Sequence, residues 1–384
     1  MEMKKWIILL TLFFAVEAVH AQAQVVSLED SIKALMREYA AIGVSVAVVR
    51  NDSIVYTRAF GYRNREESIP LKPDDLFRIA SVSKTFVATA IMQLVERGKL
   101  SLDDDVNKHL GFKIQHPKYP DTPITIKMLL CHRSSINDSQ GRATFDPINP
   151  DTNPDYAKCY CDYAPGEGYT YCNINYSLLG AVIENVSGER FDKYIRQHIM
   201  KPLGLQGSFN SKDMDSTRFV SPYIYRKQKD SLFLTKNIYQ PAGKIKKYKK
   251  GYSTILFSPA GGMIITPEEL ARYMVMHINQ GRYGKTSVIS HQSELAMREV
   301  QTRKTSYALS LKHYDYIIPG EHLIGQTGGA HGIHTAMIFH PMKKYGFVVF
   351  CNGCKSKSTN GHELNYEIIK ELFNIKIKYF DDER

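Results

Sequence analysis

Apolar side chains recur at three- and four-residue spacing in several parts of the chain, which is the pattern of amphipathic helices. The clearest case runs from Ser81 to Arg97, and Gly98 follows it as a stop signal. The same periodicity predicts further helices at residues 27–39, 126–131, 176–186, 267–279 and 364–373.

Two β-rich runs, 43–49 and 53–60, flank Asn51-Asp52 and predict a hairpin near the amino end. A second pair of runs, 335–339 and 345–350, predicts a hairpin near the carboxyl end. Strands at both ends with helices between them indicate an α/β fold of the α+β type. We therefore expect a central antiparallel sheet assembled from both chain ends and flanked by helices.

The first residues have the pattern of a secretory signal peptide. Lys4 and Lys5 precede a short apolar run that ends in small residues near Ala21. We expect residues 1–21 to be removed and the protein to be periplasmic or secreted, with an uncleaved anchor as the alternative. No later run is apolar enough to predict a membrane span, so stable membrane insertion after cleavage is not expected.

The remaining residues, 22–384, are expected to form one domain with a helical subdomain at roughly 101–254. The net charge of +11 is compatible with nucleic acid or with anionic envelope polymers. The densest lysine cluster, between Lys244 and Lys250, is typical of a solvated loop, and polymer binding is the alternative. An exported protein rarely meets nucleic acid, so no such partner is expected.

Six cysteines allow fifteen full pairings, and the sequence does not choose among them. Cys159 and Cys161 lack the C-x2-C spacing that is usual for zinc, so no metal site is expected there. The chain also lacks a G-x-S-x-G nucleophile elbow, an H-E-x-x-H zinc motif and a phosphate-binding glycine loop. The sequence thus predicts neither a metal nor an organic cofactor.

Ser81 and Lys84 lie three residues apart, so their side chains can meet on one face of a helix. A serine needs a nearby base to act as a nucleophile. A lysine can serve as that base when burial or neighbouring positive charge lowers its pKa. The helix amino end adds partial positive charge where an oxyanion would develop. Taken alone, this spacing also fits an ordinary helix start with an exposed lysine.

The surrounding string, residues 76–86, reads LFRIASVSKTF and closely resembles the active-site signature of the serine β-lactamase and penicillin-binding protein superfamily. It is most similar to the branch with class C β-lactamases, D-alanyl-D-alanine carboxypeptidases and related esterases. The resemblance continues in order at 43–61, 98–104, 124–132 and 261–267. It implies a β-lactamase/transpeptidase-like fold and hydrolysis through an acyl-enzyme on Ser81, without a cofactor.

A second motif, Tyr171-Cys172-Asn173, resembles the Tyr-x-Asn of this superfamily. The resemblance implies that Tyr171 shares proton transfer with Lys84 and that Asn173 orients the scissile amide or ester. A phenol held near a lysine can lose its proton more readily, so Tyr171 is expected to act as a base with Lys84. Cys172 is expected to be a small packed residue, with a redox-sensitive thiol as the alternative.

The third motif, Gln326-Thr327-Gly328, departs from the Lys-Thr-Gly or His-Thr-Gly of the superfamily. A glutamine donates hydrogen bonds but offers no full charge to a substrate carboxylate. β-Lactam and D-alanyl-D-alanine substrates both carry such a carboxylate, whereas ester or neutral-amide hydrolysis stays open. The resemblance implies that these residues and Gly329 bind substrate, with the N–H groups of Ser81 and Gly329 as the oxyanion donors.

His331 and His334 would face opposite sides of a strand, so shared metal ligation is not expected. The sequence as a whole predicts an exported serine hydrolase with a small-molecule or cell-wall-peptide-like substrate. Two alternatives stay open: a non-catalytic binding or scaffold protein on the same fold, and a true β-lactamase or D,D-carboxypeptidase despite Gln326.

Overall fold

The computed structural model describes residues 28–235, 238–239, 248–355 and 361–378. The expected signal peptide, residues 1–21, lies outside these residues, as do Lys244, Lys246 and Lys247 of the lysine cluster. Within the described part of the chain, no helix has both the length and the apolar character needed to cross a bilayer.

The strands are β1 (Gly43–Arg50), β2 (Ser53–Asn64), β3 (Ile69–Pro70), β4 (Phe77–Arg78), β5 (Tyr223–Arg226), β6 (Ser231–Leu234), β7 (Ile264–Ile265), β8 (Arg282–Tyr283), β9 (Thr286–Ser287), β10 (Lys312–His313), β11 (Ile324–Ala330), β12 (Ile333–His340) and β13 (Tyr345–Cys351). The helices are α1 (28–38), α2 (Ser83–Glu96), α3 (Ile126–Leu130), α4 (Asn173–Ser187), α5 (Phe191–Ile195), α6 (Pro267–Ile278), α7 (His291–Arg298) and α8 (Glu363–Phe373).

A seven-stranded antiparallel sheet, in the order β10-β11-β12-β13-β1-β2-β3, forms the centre of the fold. The amino-terminal strand β1 pairs with the carboxyl-terminal strand β13, with Val44 opposite Cys351. This pairing confirms the prediction of an antiparallel sheet built from both chain ends. The strands of this sheet come from two parts of the chain, β1 to β3 and β10 to β13. Helices α3 to α5 and the small hairpin β5–β6 belong to the segment between these two parts.

The turn of the β1–β2 hairpin explains why the sequence predicts this hairpin. Arg50 pairs with Ser53, which leaves a two-residue loop. Both loop residues, Asn51 and Asp52, have positive φ angles, of 46° and 69°. Asparagine and aspartate tolerate this left-handed conformation, and the resulting turn matches the twist of the flanking strands. The predicted hairpin is therefore confirmed with its turn residues.

Strand β1 is almost continuously apolar because both faces of the sheet are covered. Val44, Val46 and Val48 pack in one core cluster with residues of α1 and α8. Ala47 and Val49 point to the opposite face and pack with residues of α2 and α6. Helices therefore flank the sheet on both sides, as expected.

The predicted helix at Ser81–Arg97 is confirmed, but its first turn has a different geometry. A 3₁₀ turn covers Ala80–Val82, and the α-helix begins at Ser83. Residues from Ser83 to Leu94 are buried, so α2 runs through the interior rather than along the surface. Ser81 is thereby held at the amino end of a rigid, buried element.

Candidate active site

Ser81 lies at the point where strand β11 comes closest to the amino end of α2. Ala80 has a positive φ of 46°, a conformation that costs an alanine energy and that commonly marks a functional turn. Gly328 faces this turn. A Cβ at Gly328 would lie 2.4 Å from the carbonyl oxygen of Ile79 and 2.9 Å from the nitrogen of Ser81. Glycine is needed there because any side chain would push β11 away from the nucleophile.

Lys84 is fully buried beneath Ser81. Its Nζ lies 3.1 Å from Ser81 Oγ, 3.0 Å from Asn173 Oδ1 and 2.8 Å from the carbonyl oxygen of Ala260. A neutral amine has two hydrogens and one lone pair. The amide and carbonyl oxygens can only accept, so they take the two hydrogens. The lone pair then faces the Ser81 hydroxyl, which is the arrangement that a general base requires.

The environment of Lys84 favours its neutral form. Burial is the main cause, and the positive charge of Arg142 adds to it, so that the pKa of Lys84 falls to about 7. The carboxylate of Asp138 acts in the opposite direction with a smaller effect. A substantial fraction of Lys84 is therefore unprotonated at neutral pH.

Tyr171 approaches Ser81 from the other side. Its hydroxyl lies 2.7 Å from Ser81 Oγ and donates to it. Although 40% of the side chain is exposed, the hydroxyl end is desolvated against the site, and this burial raises the pKa of Tyr171 above its ordinary value. The direction is opposite to the expectation that Tyr171 would lose its proton readily. At neutral pH Tyr171 keeps its proton, and of these two side chains only Lys84 is able to accept one.

Asp138 was missed by the sequence analysis, yet it orients the amide that Lys84 uses. Its carboxylate accepts bonds from the Asn173 side-chain amide at 2.7 Å and from the backbone N–H groups of Asn173 and Ile174 at 3.0 and 3.1 Å. Burial alone would raise the pKa of Asp138, but these bonds outweigh it and hold the pKa below its usual range. Asp138 thereby caps α4 and turns the oxygen of Asn173 toward Lys84.

Asp138→Asn is expected to lower kcat/KM about 10-fold and to destabilise the fold by about 1–3 kcal/mol, because buried amides lose a charged acceptor. The same change removes the charge that raises the pKa of Lys84, so the acidic limb of the pH profile moves to lower pH. Urea unfolding and kcat/KM from pH 5 to 9 measure both effects. Asp103→Asn, at an exposed carboxylate, is the matched control. A loss of stability with an unmoved acidic limb would contradict the link to Lys84.

His132 holds the backbone on both sides of Tyr171. Its carbonyl oxygen accepts from the N–H of Thr170, and its Nδ1 accepts from the N–H of Cys172 at 3.2 Å. The ring centroids of His132 and Tyr171 are 4.3 Å apart. Burial, with the nearby charge of Lys84, lowers the pKa of His132 well below its ordinary value. The imidazole is therefore a neutral support for Tyr171.

Two cavities meet at Ser81. Ser81, Tyr171 and Gly329 line both of them. The larger, of about 760 Å³, is lined by tyrosines, and the smaller, of about 300 Å³, includes Asn173. A substrate bound across Ser81 would place one half in each cavity. The exposed backbone of Gly329 at this junction has the location that an oxyanion donor requires.

The comparison with known proteins assigns the family. A family model described as Beta-lactamase matches residues 28–368. The chain belongs to the Beta-lactamase family. This result confirms the resemblance read from the sequence and the β-lactamase/transpeptidase-like fold.

Among the relatives, protein flp of Staphylococcus aureus (strain MW2) is 27% identical over 315 residues, a match that covers 81% of this chain and 59% of that protein. The putative penicillin-binding protein PbpX of Bacillus subtilis (strain 168) is 33% identical over 219 residues, which is 53% of each chain. The chain thus spans less than two thirds of the length of these relatives. The octameric penicillin-binding protein homologue from Pyrococcus abyssi superposes with a TM-score of 0.73 at 28% identity, covering 91% of this chain and 77% of that one.

Gln326 lines the larger cavity but is itself buried. Its amide nitrogen donates to the hydroxyl of Tyr307 and to the carbonyl oxygen of Ser310, both at 2.9 Å. Its amide oxygen accepts from the N–H of Thr327 at 3.0 Å. Both amide hydrogens are engaged within the protein, so the geometry does not support the expectation that Gln326 donates to substrate. Thr327, with its hydroxyl 3.3 Å from that of Tyr314, lies beside it on the cavity wall.

The expectation that His331 and His334 share a strand was wrong. His331 and Gly332 form the two-residue turn between β11 and β12, with φ angles of 55° and 89°, and His334 lies on β12. The described residues contain no group of three or more His, Cys, Asp or Glu side chains arranged to hold a metal.

All six cysteines are free thiols in this structure. The buried thiol of Cys172 donates to Asp138 Oδ1 at 3.1 Å. Burial, together with the charge of Asp138, raises the pKa of Cys172 well above its ordinary value. A protonated, enclosed thiol is unreactive, which favours the packing role over the redox-sensitive alternative.

Proposed function

We propose that this protein is a serine hydrolase that cleaves an ester or amide through an acyl-enzyme on Ser81. The observation that carries the proposal is the buried Lys84, whose Nζ lies 3.1 Å from Ser81 Oγ and whose pKa burial lowers to about 7. A base this close and this weakly protonated serves general-base catalysis near neutral pH.

In the proposed mechanism, Lys84 takes the Ser81 proton as Oγ attacks the substrate carbonyl. The N–H groups of Ser81 and Gly329 hold the oxyanion. When the tetrahedral intermediate collapses, Tyr171 gives its proton to the leaving group, and the Lys84 ammonium then reprotonates the phenolate. In deacylation, Lys84 takes a proton from the water that attacks the acyl carbonyl. As the bond to Ser81 Oγ breaks and the acid product leaves, the Lys84 ammonium returns a proton to Oγ.

Ester or neutral-amide substrates are supported by the state of Gln326. Glutamine carries no charge, and both amide hydrogens of Gln326 are engaged within the protein, so neither is available to a carboxylate beside Thr327. The buried amide of Gln326 instead links strand β11 to Tyr307 through a hydrogen bond. A cell-wall-peptide-like substrate is the second substrate class, and it is supported by the family relationship.

The test is a set of three substrate types: short p-nitrophenyl esters, nitrocefin and a D-alanyl-D-alanine peptide. Ester turnover together with a fluorophosphonate adduct on the Ser81 peptide, found by mass spectrometry, is the expected result. Fast nitrocefin turnover would contradict the ester assignment. If neither the adduct nor any turnover is found, the protein is a non-catalytic binding or scaffold protein instead.

We further propose that the protein is exported, which is supported by the pattern of residues 1–21. Amino-terminal sequencing of protein recovered outside the cytoplasm, with cleavage near Ala21, is the measurement. Full-length protein confined to the cytoplasm would contradict it.

A further inference from the structure

The larger cavity holds one positive charge that the proposed mechanism does not use. Lys312 lies on β10 directly beside β11, paired with Gly325, the residue before Gln326. It lines the same cavity as Ser81 and Tyr171. The strand that carries the third motif lacks a cation at Gln326, and the neighbouring strand supplies one.

Within the described part of the chain, Lys312 has no carboxylate within salt-bridge distance. Its ammonium instead lies 5.3 Å from the ring centroid of Tyr314 and 5.9 Å from that of Tyr316. Burial lowers the pKa of Lys312, so the charge is kept at a solvation cost. Lysine side chains normally extend their charge into water, and a half-buried, unpaired ammonium held over aromatic rings is unusual.

The other ionisable groups on the cavity wall do not replace Lys312 as a cation. Burial and the neighbouring His334 lower the pKa of His362 to about 4, so its imidazole is neutral at pH 7. Glu363 also lines the cavity and has its own interactions within the chain. Among the described residues that line this cavity, Lys312 therefore carries the sole positive charge.

Tyr314 connects Lys312 to the reacting centre. Its hydroxyl lies 3.3 Å from the hydroxyl of Thr327, while its ring lies under the Lys312 ammonium. The cation is thus one tyrosine ring away from the strand beside Ser81. A substrate that reaches Ser81 through this cavity can extend a second group to Lys312.

We propose that Lys312 binds a carboxylate on the half of the substrate that fills the tyrosine-lined cavity. The inference rests on the proposed hydrolase function and defines its substrate class: an ester or amide with an anionic group distant from the scissile bond. The carboxylate would pair with the ammonium, and the buried ring of Tyr314 would limit the access of water on one side of the pair, which strengthens it.

Two pairs of matched esters test the proposal without assuming which half enters the cavity. Mono-p-nitrophenyl glutarate and p-nitrophenyl valerate differ by a carboxylate on the acyl group. The acetate ester of 5-hydroxy-2-nitrobenzoate and p-nitrophenyl acetate differ by a carboxylate on the leaving group. In one pair, wild-type protein is expected to show a higher kcat/KM for the anionic ester.

Lys312→Met is expected to lower kcat/KM for that anionic ester about 10- to 100-fold and to leave its neutral partner within about twofold, because a hydrogen bond to a charged group is lost. Lys312→Arg is expected to retain most of the preference. Lys99→Met, at an exposed lysine beyond the far end of α2, controls for the loss of net charge and is expected to change nothing.

The two proposals fail in different ways. Equal ratios for wild-type and Lys312→Met protein in both pairs, with Ser81-dependent turnover of the neutral esters intact, overturn the role of Lys312 and leave the hydrolase standing. Absence of Ser81-dependent turnover of all four esters overturns both proposals.

Discussion

Replacement of Ser81 by alanine is expected to lower kcat/KM for ester hydrolysis by about 10⁴-fold or more, because nucleophile, base and proton donor act as one unit. The fold is expected to persist. Ser81 is only partly buried, and Lys84 keeps Asn173 and Ala260 as acceptors when the hydroxyl is removed. The measurements are steady-state turnover of a p-nitrophenyl ester, loss of the fluorophosphonate adduct and an unchanged melting temperature.

Ser83→Ala is the matched control, since both serines belong to the same four-residue motif. Ser83 is buried, and its hydroxyl accepts from the backbone N–H of Met263 at 3.1 Å. Its loss is expected to cost about 1–2 kcal/mol of stability, because that N–H is left without an acceptor, and to change kcat/KM by no more than about threefold. If Ser83→Ala abolished the adduct while Ser81→Ala kept it, the nucleophile assignment would be wrong.

Lys84→Met is expected to reduce kcat/KM by about 10³-fold, the contribution typical of a positioned general base. Methionine fills a similar volume without a basic atom, so the loss reports chemistry rather than packing. Lys99→Met serves again as the exposed control. If Lys84→Met retained more than a tenth of wild-type activity, another group would have to be the base.

The pH profile tests whether Lys84 itself is the base. Only the neutral amine accepts the Ser81 proton, so kcat/KM of the wild-type protein is expected to fall tenfold per pH unit below about 7 and to level off above it. The limb is expected to disappear in Lys84→Met. A limb that stays near pH 7 in this variant would show that another residue is titrating.

The same shift makes a prediction about stability. The pKa of Lys84 is lower in the folded protein than in the unfolded chain, so the unfolded chain binds more protons between the two values. The stability cost is full below pH 7 and disappears as the pH approaches the unfolded value of 10.5. Lys84→Met is therefore expected to raise the melting temperature at pH 6 and to raise it less at pH 9.

Much of the fold could be predicted because its signals are local. The Asn51-Asp52 turn needs only its two residues, and the period of α2 needs only its own apolar face. The contact between Ser81 and Lys84 is also local, since three residues on a helix bring the side chains together. Tyr171 and Asn173 came from a motif whose order along the chain matched the superfamily.

The contacts that the sequence missed join residues far apart in the chain. Asp138 reaches Asn173 over 35 positions, and Gln326 is engaged by Tyr307 over 19. Helical and strand periods relate residues only a few positions apart, so neither period predicts these two contacts. His132 lies in the stretch 124–132 that resembles the superfamily, but nothing in that stretch indicated that it would support Tyr171.

The sequence by itself determined the antiparallel sheet built from both chain ends, the helix that follows Ser81 and the meeting of Ser81 with Lys84, Tyr171 and Asn173. Only the tertiary structure decided the surroundings of these residues: burial lowers the pKa of Lys84 and raises that of Tyr171, Gln326 is engaged within the protein and Lys312 lines the cavity. The reason is physical. Periodicity depends on neighbours within a few positions, whereas a pKa or a free hydrogen-bond donor depends on burial and on charges brought from distant parts of the chain.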